Sequence, residues 1–310
     1  VAGGEAADAD PARALQERFP ELAASEPELL AHHFGEAGRT VEACDYRMRA
    51  GDRALSRSAY NEAIAHFAAG RKLAETLPGA EGMQRQIDFL LKLGPSLMVV
   101  RGYQNSEVEG AYRRAAEIAE ALGAGTESFK AKWGLWLHGS MTRKTRLARD
   151  RARELVTLAE RSGDDDLLLE AYHCRWSTAF FCGDVAAALD DCRIGVSSYD
   201  MARHRHLGQA FGGHDPGVCA QVVNAMALQM ASNRDGAKES VAQALALAEA
   251  LDHPASLGHA LTNCAMCYQL AADREMTFAF ARRMAALAEK FGLLPLRASS
   301  MLLTGWTNAI

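Results

Sequence analysis

Side chains able to do chemistry gather in three places along this chain. In Met201–Gly217, His204, His206 and His214 are followed closely by Cys219, four ligand-type side chains within 16 positions. Imidazole and thiolate suit zinc, but the run matches no known ligand spacing, and Arg203 and Arg205 between the histidines would repel a cation. The second place is Cys264-Ala265-Met266-Cys267, a single CxxC in mid-helix with no second pair to complete a four-ligand set. The third is a basic run of Arg143, Lys144, Arg146, Arg149, Arg151 and Arg153. Arg146, Arg149 and Arg153 share one helical face, which is either a solvated surface or a docking patch for an acidic partner or anionic ligand. None of the three forms a nucleophile–base pair or a metal set. The expectation is therefore no catalytic residue, no cofactor and no metal, with Arg143, Arg146, Arg149, Arg153, His204, His206 and His214 as partner-binding candidates.

The elements that would position these residues are written in a repeat. Leu247-Ala248-Glu249-Ala250-Leu251-Asp252 and Leu287-Ala288-Glu289-Lys290-Phe291-Gly292 stand 40 residues apart, as do Ile118–Gly123 and Leu158–Gly163; an earlier copy begins at Leu73. The longer gap from Leu158 to Leu247 leaves room for a degenerate copy at Ile194–Asp200 and for the insertion Met201–Gly217. A period of this length fits two helices and two turns, the signature of a helical solenoid. The Ala in each mark lets neighbouring backbones approach, and the closing Gly or Asp ends the helix. Between the last two marks Leu257, Leu261, Cys264, Ala265 and Tyr268 share one helical face.

Composition agrees. Of 310 residues 49% are hydrophobic, only 8 are proline, and alternating β-branched runs are nearly absent, so the fold class is all-α. A net charge of −5 argues against a nucleic-acid surface. No run approaches the roughly 18 apolar residues of a membrane span. Seven cysteines, an odd number lying mostly in helical patterns, read as reduced, buried thiols in a cytoplasmic protein. Trp133, Trp136 and Trp176 read as core packing, and Asp164-Asp165-Asp166 as a helix N-cap.

Taken in order, residues 1–14 read as a disordered segment and 15–310 as the repeat array. Helices are expected over 28–37, 41–56, 59–77, 84–99 with a kink at Gly94-Pro95, 106–122, 127–141, 145–161, 164–181 and 185–199. After the insertion they follow over 218–231, 235–251, 255–270, 274–291 and 296–310. Asp215-Pro216-Gly217 reads as a turn that starts the helix after the insertion. The missing initiator Met and the lack of a polar capping helix suggest a piece of a longer protein, with the array continuing past Ile310.

Several stretches carry a likeness to a known family. Leu29-Leu30-Ala31-His32-His33-Phe34 with Glu36-Ala37-Gly38, Leu93-Gly94-Pro95 with Gly102-Tyr103, Glu107-Val108-Glu109 with Ala111-Tyr112, and Asp215-Pro216-Gly217-Val218 with Gly305-Trp306 form the set. As a set it resembles the C-terminal tetratricopeptide-like region of bacterial multidomain signalling proteins with adenylate/guanylate cyclase and AAA-type ATPase domains. In that family catalysis lies N-terminal to the array. The resemblance therefore implies a regulatory segment whose partners are a protein, a peptide or the catalytic domains of the same polypeptide. This chain has no phosphate loop, since Gly139-Ser140-Met141-Thr142-Arg143-Lys144-Thr145 lacks the glycine before the lysine.

Three functions follow in order of support: a scaffold-like docking module, a small-molecule sensor with its ligand in the concave groove under the 201–217 loop, and an enzyme. An open groove favours the first, and a closed cavity with polar groups under a lid-like loop favours the second.

Overall fold

A computed structural model describes Glu21, residues 25–142 and residues 144–309. The expected disordered segment 1–14, and Arg143, lie outside the described residues. The described residues are helical with no strand. The helices are α1 (Pro27–Glu36), α2 (Thr40–Ser56), α3 (Tyr60–Ala74), α4 (Gly79–Arg101), α5 (Ser106–Leu122), α6 (Gly125–Met141), α7 (Thr145–Ser162), α8 (Asp165–Phe181), α9 (Val185–Ser198), the single turns α10 (Met201–His204) and α11 (Leu207–Ala210), α12 (Pro216–Met230), α13 (Arg234–Ala250), α14 (Pro254–Leu270), α15 (Arg274–Phe291) and α16 (Leu294–Ala309).

The repeated marks do what their residue types require. Gly123, Gly163 and Gly292, which close three of them, each sit at φ +67°, the left-handed cap conformation that glycine adopts without strain. Asp252, which closes a fourth, is held at φ +50°. The alanines inside the marks, Ala74, Ala119, Ala159, Ala248 and Ala288, are all buried. Helix caps also follow the sequence: Asp164 accepts from the Asp166 and Leu167 amides, and Asp215 from the Val218 amide.

Two elements differ from the sequence reading. Helix α4 begins at Gly79, five residues before the expected start, and runs past the buried Pro95 to Arg101. Pro78 caps it in an extended conformation instead of ending a longer α3. The insertion is not a bare loop, because it contains α10 and α11, and α12 starts directly on Pro216.

Successive helices pack in antiparallel pairs, and α4, α6, α8, α12, α14 and α16 form an inner layer in which each touches the next. The layer closes, because α16 comes back against α4, and α11 packs on α4 from within. One buried cluster runs through it, centred on Trp133, Trp136, Trp176 and Tyr112. Helix α16 leaves Met301 and Leu302 on the surface.

A second closing contact joins distant repeats. The Tyr60 hydroxyl at the start of α3 lies 3.1 Å from His253 Nε2 at the N-cap of α14, and His253 Nδ1 lies 2.8 Å from Ser256 Oγ. Burial lowers the His253 pKa to about 4 from an ordinary 6.5. Below the ordinary value the unfolded chain takes up a proton that the folded chain refuses, so stability falls as pH drops from 6.5 toward 4. Complete loss of this contribution amounts to about 3 kcal/mol. Thermal melts from pH 7 to pH 4 are expected to show a shallower decline for His253→Gln than for the wild type, and equal declines would refute this role.

Candidate functional site

Inside the inner layer lies a cavity of about 400 Å³. Its walls come from the end of α4 (Met98, Val99), from α6 and α8, from α12 and α14, and from the start of α16 (Pro295, Leu296). Most of the lining is apolar, and none of the lining residues is Lys, Arg, Asp or Glu. Polar groups concentrate on one side, where His173, His214, Cys219 and His259 line the wall. A site of this size with few polar groups matches the usual build of a small-ligand pocket.

The insertion fills the space beside that wall. Phe211 is buried edge-on against Phe129 and Trp133, with ring centroids 6.2 and 5.4 Å away. Gly212 lets the backbone pass Trp133, since a Cβ there would meet the indole at 2.4 Å, and Gly213 takes φ +72°. His214 is delivered into the interior by this turn, and Tyr199 donates to Asp215 from 2.8 Å to anchor its far side.

The histidine cluster is tightly wired. His173 Nδ1 lies 3.0 Å from Glu170 Oε2, and its Nε2 lies 3.4 Å from His214 Nε2. His214 Nδ1 sits 3.1 Å from the Gly212 carbonyl and 3.2 Å from the Tyr103 hydroxyl. The His214 and His259 rings stack with centroids 3.8 Å apart. Cys219 Sγ is 3.8 Å from Ser177 Oγ, and the donor atoms of His173, His214 and Cys219 all lie within 4.8 Å of one another.

Burial opposes charge throughout this cluster. It lowers His259 to about 4 and, with the nearby His173 charge, holds His214 well below the ordinary imidazole value. It raises the Glu170 carboxyl. Burial alone would also raise the Cys219 thiol, but the charge and hydrogen bond of His173, helped by His259, outweigh it and hold the thiol low. His173 is pushed up in turn: the Cys219 charge and the Glu170 hydrogen bond override its burial. A thiolate among imidazoles can act as a nucleophile or as a metal ligand.

The sequence candidates separate in space. Of the insertion residues only His214 and the adjoining Cys219 enter the cluster. His204 accepts from the Asp200 amide at 2.8 Å and faces Asp166 at 3.6 Å, while His206 lies 3.3 Å from the same carboxylate. Arg146, Arg149 and Arg153 do share a face, and with Asp150 and Cys182 they line a surface hollow of about 250 Å³. Arg151 points away from them and donates to the Leu135 carbonyl from 2.6 Å. Cys264 and Cys267 are buried, and burial raises both thiols. His173, Glu170 and His259 were not singled out in the sequence, although His173 stands 41 residues before His214, one repeat away.

No protein-family model matches the chain. An uncharacterized protein of Rhizobium meliloti (strain 1021) is 27% identical over 283 residues, which is 90% of this chain but 27% of that protein. The chain thus spans about a quarter of the length of the curated relative it matches. Among solved structures, the Rap conjugation gene regulator of plasmid pLS20 in complex with the Phr* peptide superposes with a TM-score of 0.62 at 14% identity, over 88% of this chain and 77% of that one. A Rap protein complexed with Competence and Sporulation Factor gives 0.59 at 12% identity, over 90% and 79%. A STAND signal transduction ATPase with a tetratricopeptide repeat sensor from Pyrococcus horikoshii gives 0.51 at 12% identity, over 96% of this chain and 42% of that one. These likenesses define the class: an all-α superhelix of tetratricopeptide type.

The packing of the insertion gives a direct test. Truncating a buried phenylalanine typically costs about 3–5 kcal/mol. Phe211→Ala is expected to lower thermal stability by that amount, whereas Leu302→Ala, at a site 76% exposed, stays within about 0.5 kcal/mol of wild type. Equal small effects would mean that the insertion is not part of the core.

Proposed function

We propose that the chain is a non-catalytic regulatory module of a bacterial signalling protein, a ligand sensor whose occupant lies in the cavity on the concave face. The carrying observation is that this cavity is walled by α4 and α16, which are far apart in sequence and meet in the fold, with His214 of the insertion in its polar wall. The lining favours an uncharged, mainly apolar ligand with one or two hydrogen-bonding groups, met by Asn263, Thr262 and Tyr103. The complex of the pLS20 Rap regulator with the Phr* peptide supports a peptide as one class of ligand, and the apolar lining favours an apolar one. The sensor of the archaeal STAND ATPase supports attachment to catalytic domains, and cyclase and ATPase domains in the same polypeptide are the partners this reading proposes.

The exposed face of Arg146, Arg149 and Arg153 is the proposed docking surface for those domains or another acidic protein. Arg146 and Arg149 form no ion pair among the described residues, so both are available to a partner.

The two sites are separable. Thermal-shift screening of neutral apolar molecules and short peptides against the full chain is expected to yield stabilising ligands, with about 2.7 kcal/mol gained at 100 times Kd. Thr262→Trp, which fills the cavity, should abolish the shift. Replacing Arg146, Arg149 and Arg153 together by Glu should preserve the shift but abolish partner binding. Ligand shifts that survive Thr262→Trp would place the ligand elsewhere and refute the cavity reading.

A further inference from the structure

Two imidazole nitrogens face each other across 3.4 Å in the wall of the cavity, His173 Nε2 and His214 Nε2. The other nitrogen of each ring decides what each presents. His173 Nδ1 meets Glu170 Oε2 at 3.0 Å, and a carboxylate there accepts from Nδ1–H, so a metal that displaces any proton on Nε2 would find that atom free to ligate. His214 Nδ1 meets the Gly212 carbonyl at 3.1 Å, again an acceptor, so its Nε2 carries a lone pair. Cys219 adds a sulfur, with all three donor atoms within 4.8 Å of one another. All three side chains are buried, at 2%, 3% and 3% exposure.

Two facing Nε2 atoms are held together either by a proton between them or by a metal cation. A shared proton would make only a long hydrogen bond, since 3.4 Å exceeds the 2.7–3.2 Å usual for N–H···O bonds. Two bonds of about 2.0–2.1 Å from a tetrahedral zinc hold their nitrogens about 3.4 Å apart. A second observation points the same way. Glu170 is fully buried and its Oε1 has no hydrogen-bond partner.

We propose that His173 Nε2, His214 Nε2 and Cys219 Sγ bind one zinc-class transition-metal ion, with Glu170 holding His173 in the ligating tautomer. The arrangement is the carboxylate–histidine–metal relay of protein zinc sites. Three protein donors leave a tetrahedral ion one position for water or a ligand from the cavity. The site goes beyond the sensor reading and does not rest on it. It also runs against the sequence expectation of metal-free thiols, which considered His204, His206 and His214 together and not His173.

The test uses the full chain, freed of metal by a chelator and titrated with Zn²⁺ and Co²⁺. One equivalent of each is expected to bind. The cobalt complex should show intense tetrahedral d–d bands and a sulfur-to-metal charge-transfer band. Cys219→Ser should lose the charge-transfer band, Cys264→Ser should keep it, and Glu170→Gln should weaken zinc binding about 10–100-fold. Absence of stoichiometric binding, a cobalt spectrum without the sulfur band, or unchanged binding in Cys219→Ser would overturn the site. The wild-type cobalt spectrum decides the matter even where a variant fails to fold.

Discussion

Everything in the interior depends on the stacking register of the inner helices. Side chains about 41 positions apart meet across the layer: Trp136 donates to Thr178 at 2.9 Å, Ser177 reaches Cys219 at 3.8 Å, His173 faces His214 at 3.4 Å, and the Asp215 amide donates to Ser256 at 2.9 Å. The register is set by the small residues in the repeated marks, because a buried alanine fixes how closely two backbones approach. Once it is set, any polar residue on the inner face is carried toward its counterpart one repeat on. A polar ladder follows, in a layer otherwise filled by tryptophan and aliphatic side chains.

Closure of the layer turns that ladder into a site. An open solenoid would leave His173, His214 and Cys219 in water, where imidazole and thiol titrate normally and bind metal weakly. Bringing α16 against α4 and packing the insertion inside removes the water. Each polar group must then find a partner or carry a cost of roughly 1–3 kcal/mol. Most do: Trp133 donates to the Glu170 carbonyl at 3.3 Å, and Asp215 is held by Tyr199 and Val218. Four buried side-chain atoms of the described residues are left over: Glu170 Oε1 and His259 Nε2 in the histidine cluster, Trp176 Nε1 on the ring stacked against His173, and Arg47 Nε elsewhere.

Much of this was legible in the sequence and some was not, for physical reasons. The helix marks were readable because their Leu-Ala-Glu pattern and terminal Gly are local signals, and the left-handed caps at Gly123, Gly163 and Gly292 follow from them. The start of α4 was missed because Pro78-Gly79 reads equally as a stop and as an N-terminal cap, and only tertiary packing decides. Among the candidate residues, the shared helical face of Arg146, Arg149 and Arg153 was a local signal, and the three do line one surface hollow. The histidines were grouped by sequence proximity, His204, His206 and His214 together. The turn at Gly212-Gly213 instead sends His214 inward, while His204 and His206 pair with Asp166. Applying the repeat period to individual side chains, and not only to helices, would have matched His173 with His214.

The closed layer also supplies a route from the cavity to the rest of the molecule. A ligand shifts a conformational equilibrium only by its differential contact with the two states. Here the cavity is lined both by α4 and by α16, and Gly102 approaches Pro295 so closely that a Cβ on the glycine would lie 3.6 Å from the proline ring. Parting that seam would remove one wall, so an occupant gains contacts only while the ends of the array stay together. The same holds for the Tyr60–His253 contact, which spans 193 residues and has no second path if the ring opens. On the proposed sensor reading, occupancy and ring closure are therefore coupled. On that reading a surface whose shape depends on closure would report it to an attached domain.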